Sequence, residues 1–140
     1  PDLASGAPLL IREGTDVTLL VAGPIITQAL AVAEQLEPEG LSVRVLTCPV
    51  IKPLNAAAIR AAADGTVGIV TLEEHTIHGG FGSAVLEGFA VNGWRTPILP
   101  LGLADEATHI IGGQEWLRER AGLSTDYVRK SVATFARSAA

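Results

Sequence analysis

The stretch formed by residues 67–89, VGIVTLEEHTIHGGFGSAVLEGF, constrains the fold more than any other part of the chain. Val67, Ile69, Val70 and Leu72 make a short apolar, largely β-branched run. A strand covered by helices on both faces needs such a run. Glu73, Glu74, His75 and His78 follow at the carboxyl end of that predicted strand, and Gly79, Gly80 and Gly82 then supply a permissive backbone for a tight turn. Phe81, Val85 and Phe89 recur every four residues, with Ala84 and Leu86 beside them, which predicts a helix. Strand, polar turn and helix together are half of a βαβ unit, and they put charged groups where open α/β sheets present functional residues.

The flanking sequence repeats this alternation. Residues 1–8 are small and polar and are expected to be a linker, leaving 9–140 as one domain. Leu9, Leu10 and Ile11 form a brief apolar run, 12–16 is turn-like and 17–21 is a strand, so the two runs are expected to pair as an antiparallel edge hairpin. Pro24 is placed at the first position of a helix whose apolar stripe is Ile25, Ala29, Val32, Ala33 and Leu36. Residues 42–47 alternate as a strand, Asn55 is an N-cap for the Ala-rich segment 56–63, and Gly65 ends that helix. A strand is expected at 97–101 and an irregular stretch at 103–113. A short helix over 114–121, with Trp116 and Leu117 inward, is expected to close at Gly122. Ser124 caps a last helix with Asp126 in its first turn and Arg137 near its end. The predicted architecture is a three-layer α/β/α sandwich around a five-stranded, mostly parallel sheet with one antiparallel edge strand.

Composition narrows the function classes. A net charge of −5 argues against a nucleic-acid surface, which needs a basic excess. No apolar run approaches the roughly 18 residues of a membrane span. Cys48 alone makes neither a disulfide framework nor a metal knuckle, and a cytoplasmic location is the expectation. The absence of Met suggests an excised fragment.

The polar turn admits several chemistries. Gly80-Phe81-Gly82 supplies the first two glycines of a dinucleotide fingerprint, but Val85 stands at the third position and the strand is an interior one. Close helix–strand packing accounts for the glycines better. Glu73, Glu74, His75 and His78 offer an acid–base or metal constellation, set against a polar cluster that caps strand ends and meets a neighbouring domain. A small hydrolase using Glu74 and His75 is the weakest reading, because no nucleophile with an orienting partner is visible. Ser83 lacks the GxSxG elbow, Cys48 is expected to be a buried structural thiol, Lys52 a solvated charge, and His109 a hydrogen-bonded structural residue.

Four motifs in order resemble the C-terminal domain of the transketolase-like, thiamine-diphosphate-dependent enzymes. They are Ile11-Arg12-Glu13-Gly14-Thr15-Asp16-Val17-Thr18, Lys52-Pro53-Leu54-Asn55, Glu73-Glu74-His75 with Gly79-Gly80-Phe81-Gly82-Ser83-Ala84-Val85, and Gly102-Leu103-Ala104-Asp105-Glu106 with His109, Gly112 and Gly122-Leu123. Asn55 stands where the family has Asp, and Ala104 where it has Pro. The third motif and the tail lean to the transketolase and 1-deoxyxylulose-5-phosphate synthase branch. The resemblance implies transfer of a two-carbon ketol unit between phosphorylated sugars by a complete enzyme that uses thiamine diphosphate and Mg²⁺. It also implies pyrimidine- and pyrophosphate-binding domains as partners, in the same or a separate chain, and a homodimer. The GDG…N motif that holds the cofactor is missing here, since Asp64-Gly65 lacks the leading Gly and a partner Asn. The resemblance therefore assigns no catalytic, cofactor or metal residue to this chain, which alone is expected to be inactive. Glu74, His75, His78, Gly79, Gly80 and Phe81 are the candidate interdomain or ligand contacts. The alternatives are the C-terminal domain of a 2-oxoacid dehydrogenase β subunit, or a stand-alone small-ligand regulatory module.

Overall fold

The structure is a computed structural model that describes residues 3–106 and 109–140. Five strands, β1 (Leu9–Arg12), β2 (Val17–Ala22), β3 (Val43–Thr47), β4 (Ile69–Thr76) and β5 (Ile98–Leu103), form one sheet in the order β1-β3-β2-β4-β5. All neighbouring pairs are parallel except β1 with β3, which is antiparallel. The mostly parallel sheet with one antiparallel edge is as the sequence predicts.

The edge itself differs from expectation. β1 does not form a hairpin with β2; it pairs with β3, Leu9 opposite Thr47 and Leu10 opposite Leu46. The reason lies in β2, every residue of which is buried. A strand covered on both faces and rich in apolar side chains takes the middle of a sheet, where it has a parallel neighbour on each side. β2 accordingly lies between β3 and β4, and β1 is left with the free edge of β3. The turn-like 12–16 segment becomes a strap across the start of β3. Asp16 Oδ2 accepts the Ser42 N–H at 2.6 Å, and Arg44 Nε donates to the Gly14 carbonyl at 3.1 Å.

Helices cover both faces. α1 (Ile26–Leu36) and α5 (Thr125–Ala139) pack on one side over Val17, Leu19, Val21, Val43, Val45, Val70 and Leu72. α2 (Ala56–Ala62) and α3 (Phe81–Val91) cover the other over Leu20, Leu46 and Ile69, adding Ile59, Phe81, Val85 and Phe89. The period-2 alternation of strand side chains divides the sheet between these two cores. Predicted caps are present: Asn55 Oδ1 accepts the Ala58 N–H at 3.0 Å, and Ser124 Oγ the Tyr127 N–H at 3.1 Å. Pro24 lies before the N-cap Ile25 of α1 rather than at its first helical position. α4 (Gln114–Arg120) does not turn Trp116 inward: the indole is 43% exposed, with the Arg120 guanidinium 5.2 Å from its ring centroid. A two-turn helix at the sheet's end has too little core to face, so a large ring is left at the surface. Leu117 is half-buried. The segment before β1 packs down, with Gly6 buried and Asn55 Nδ2 donating to the Ser5 carbonyl at 2.8 Å.

Candidate functional site

β4 is longer than its apolar run, so Glu73, Glu74 and His75 lie on the strand and not after it. The strand's pairing with β5 shifts between Leu72 and Thr76, a bulge-like irregularity of the sort that re-aims side chains at sheet ends. The His75 carbonyl presses there against the α-carbon of Gly102, a position with no room for a Cβ.

Glu73, which is 4% exposed, turns under the start of α3. Its Oε2 accepts the Phe81 N–H at 2.6 Å and its Oε1 the Gly82 N–H at 2.8 Å. The first N–H groups of a helix have no partner within it, and the helix dipole favours negative charge there, so this carboxylate satisfies both demands. A Cβ on Gly80 would fall onto Glu73 Oε2, and one on Gly82 would come within 2.6 Å of Thr71 Oγ1 and 3.3 Å of Glu73 Oε1. The two glycines thus give the carboxylate its approach to the backbone. Thr71 Oγ1, fully buried beside it, is the buried side-chain polar atom left without a partner among the described residues.

Glu74 points to the opposite layer. Its Oε1 accepts from Arg118 Nε at 2.6 Å, and Gln114 Nε2 donates to both of its oxygens at 3.0 and 3.1 Å. The bond from Arg118 is the main reason its carboxyl lies below the usual carboxylate range; partial burial opposes it, and the guanidinium charge and Gln114 add to the lowering. Gln114 and Arg118 sit one helical turn apart on α4, and sequence reasoning missed them. Their spacing signals a shared face, but nothing local connects that face to a carboxylate 40 residues earlier.

The two imidazoles are exposed and do not converge. Nδ1 of His75 lies 2.8 Å from the Thr76 carbonyl oxygen, and its ring borders a crevice of about 680 Å³ shared with Gly23, Pro24, Ile51, Lys52 and Glu87. His78 borders a different hollow of about 440 Å³ alongside β5. Among the described residues no group of three His, Cys, Asp or Glu side chains is placed to hold a metal ion. Gly79 is exposed and Gly80 half-buried, whereas Phe81 is 3% exposed and belongs to the core, so its ring is not part of the surface on offer.

The candidate nucleophiles are committed elsewhere. Ser83 Oγ donates to the Ile77 carbonyl at 2.6 Å and accepts the Gly79 N–H at 3.1 Å, which fixes the turn. Cys48 is buried with Sγ 3.3 Å from the Val50 carbonyl, and burial pushes its thiol pKa up, away from the reactive thiolate. His109, expected to be a hydrogen-bonded structural residue, is exposed. Lys52, expected to be a solvated charge, is exposed at the crevice. Chemically, the arrangement is two anchored carboxylates and two exposed imidazoles around a turn held by Ser83.

Comparison with known proteins matches this arrangement to a family. The profile described as "Transketolase, C-terminal domain" matches residues 6–128. The 1-deoxy-D-xylulose-5-phosphate synthase of Thioalkalivibrio sulfidiphilus is 38% identical over 130 residues, covering 93% of this chain and 19% of that protein. The synthase of Syntrophotalea carbinolica is 36% identical over 139 residues, covering 96% and 22%. The chain therefore spans about a fifth of the length of these curated relatives. Among solved structures, a split-gene transketolase described as an inactive β4 tetramer superposes with a TM-score of 0.82 at 30% identity, over 95% of this chain and 43% of that one. A transketolase from Pichia stipitis shares the fold at a TM-score of 0.69 and 14% identity, over 96% of this chain and 18% of that one. The chain belongs to the transketolase C-terminal domain family.

Proposed function

We propose that this domain is the C-terminal part of a thiamine-diphosphate-dependent, ketol-transferring enzyme of the 1-deoxyxylulose-5-phosphate synthase type, to which it contributes interdomain and dimer contacts and no reacting group. The observation that carries this reading is the match to synthases over nearly the whole chain but only about a fifth of their length. The relatives described are synthases and transketolases, which favours this branch over a dehydrogenase β subunit or a stand-alone regulatory module.

The residues present do not fit the cofactor. Asp64 is exposed in the turn after α2 and no Asn of the family's diphosphate motif accompanies it. The N–H groups at the start of α3, the natural seat for a diphosphate, already hold Glu73. In this proposal, thiamine diphosphate and Mg²⁺ belong to the pyrimidine- and pyrophosphate-binding domains. His75, His78, Gly79, Gly80 and the outer side of Glu74 are the polar part of the surface that meets them or a second subunit in a homodimer. A cytoplasmic location accords with that chemistry, and no helix of the described residues is long and apolar enough to cross a membrane.

Calorimetry tests the division of labour. The 140-residue chain is expected to show no saturable uptake of thiamine diphosphate with Mg²⁺. The complete product of the gene that encodes it is expected to bind both and to form 1-deoxy-D-xylulose 5-phosphate. Saturable micromolar binding by the 140-residue chain alone would overturn the reading.

A further inference from the structure

We propose that Glu73 is a built-in anion: its carboxylate fills the seat that an α/β crevice of this kind offers to a ligand phosphate, and so closes that seat to phosphate-bearing ligands. The crevice lies outside the carboxyl ends of β2 and β4. There the chain turns from β2 to β3 on one side, while β4 lies on the other, so the strand order reverses. Ligands of open α/β sheets bind at such reversals, with phosphates on the first N–H groups of a helix and glycines clearing the approach. Every part of that arrangement is present. α3 is 11 residues long, its Phe81 and Gly82 N–H groups point to one place, and Gly80 and Gly82 leave that place open.

What occupies it is the protein's own side chain. Both donors are taken at 2.6 and 2.8 Å, and the space freed by the missing Cβ atoms is filled by Oε1 and Oε2. An incoming phosphate would meet a like charge at van der Waals contact, with neither of these two donors left for it. The pair of glycines that resembles a dinucleotide fingerprint is thereby explained without a nucleotide. The remaining crevice, lined by Ala22, Pro24, Ile51, Lys52 and Ala84 among others, lies outside that seat. This inference rests on the geometry of the β4–α3 turn and stands apart from the family assignment.

The test uses ¹⁵N-labelled 140-residue chain, wild type and Glu73→Ala, titrated with inorganic phosphate and separately with formate, at an ionic strength held constant with chloride. In the wild type the Phe81 and Gly82 amide signals are expected to follow the chloride control. In Glu73→Ala they are expected to shift saturably, with an apparent affinity at least about tenfold above any wild-type response, because a charge-assisted pair of donors has been freed. Formate, which replaces the deleted carboxylate, should raise the melting temperature of the variant and not of the wild type. Because Lys52 can attract anions by itself, only the Phe81 and Gly82 signals are decisive. Saturation of those two signals in the wild type overturns the proposal, as does a folded Glu73→Ala that ignores both anions. Should Glu73→Ala fail to fold in chloride, adding phosphate or formate is expected to restore its fold by taking the vacated place, and failure of both anions to do so overturns the proposal.

Discussion

On one face of β4 the carboxylate of Glu73 is sealed beneath α3, held by backbone N–H groups eight and nine residues further along the chain. On the other face Glu74 reaches out to side chains 40 and 44 residues away, on a two-turn helix at the end of the sheet. The two residues are identical in type and adjacent in sequence. Alternation along the strand sends them to different layers, and the partners waiting there decide the rest. A backbone partner in a nearby turn is fixed as soon as the strand and helix form. A side-chain partner on a distant helix holds only while that helix stays docked. Glu73 therefore belongs to the rigid part of the domain, whereas Glu74 clasps a peripheral element to it.

The largest expected difference follows directly. Glu73→Ala leaves two buried donors unmet and should destabilise the domain by about 3 kcal/mol, from the usual strength of charge-assisted hydrogen bonds. Glu74→Ala should cost about 1 kcal/mol, because its partners can turn to water once α4 loosens. Urea denaturation of both variants beside the wild type measures this. Equal losses would erase the distinction between a sealed and a clasping carboxylate.

How much of this contrast could be foreseen depends on the range of each interaction. The strand, the glycine turn and the helix 81–91 follow from periodicity and backbone freedom, which are local. Of the three glycines expected to form the turn, Gly79 has the positive φ of 71°, while Gly82 is already the second residue of the helix. The reason for Gly80 and Gly82, the room taken by Glu73, needs the folded strand beside the helix. β1's choice of β3 was hidden because two apolar runs joined by a short turn look like a hairpin. Only the burial of β2 on both faces shows that its edges were already claimed. Trp116 was misplaced because a bulky apolar side chain suggests an interior, and the short α4 has little interior to offer. The Glu74–Arg118 pair leaves no local trace in the sequence at all.

A smaller effect appears with pH. The Glu74 carboxyl lies below its ordinary value of 4.5 in the folded chain, chiefly through the hydrogen bond from Arg118. A group whose folded pKa is depressed contributes stability that is fully present above its unfolded pKa and is lost as pH falls through the folded one. The stability difference between wild type and Arg118→Ala should therefore hold steady above about pH 6 and shrink on acidification toward about pH 3. Asp126 is lowered in the same direction by Lys130 and Arg129, but it is solvent-exposed, and added salt should screen its share. A difference independent of pH would mean that Arg118 acts by packing, not through the Glu74 charge.

The smallest effect on stability, and the sharpest on surface role, is expected at the imidazoles. His75 and His78 are exposed, so His75→Ala and His78→Ala should each change the stability of the 140-residue chain by no more than about 0.5 kcal/mol. In the longer protein of the proposed function they should separate. His75 stands on the wall of the crevice between β2 and β4, whereas His78 borders the hollow beside β5. If the crevice is what the neighbouring domain or subunit covers, His75→Ala should loosen the assembly more than His78→Ala, as dissociation at rising urea monitored by gel filtration. The reverse order would move the covered surface from the Glu73 face to the outer edge of the sheet. The anchored carboxylate would then stiffen the turn without shaping the contact.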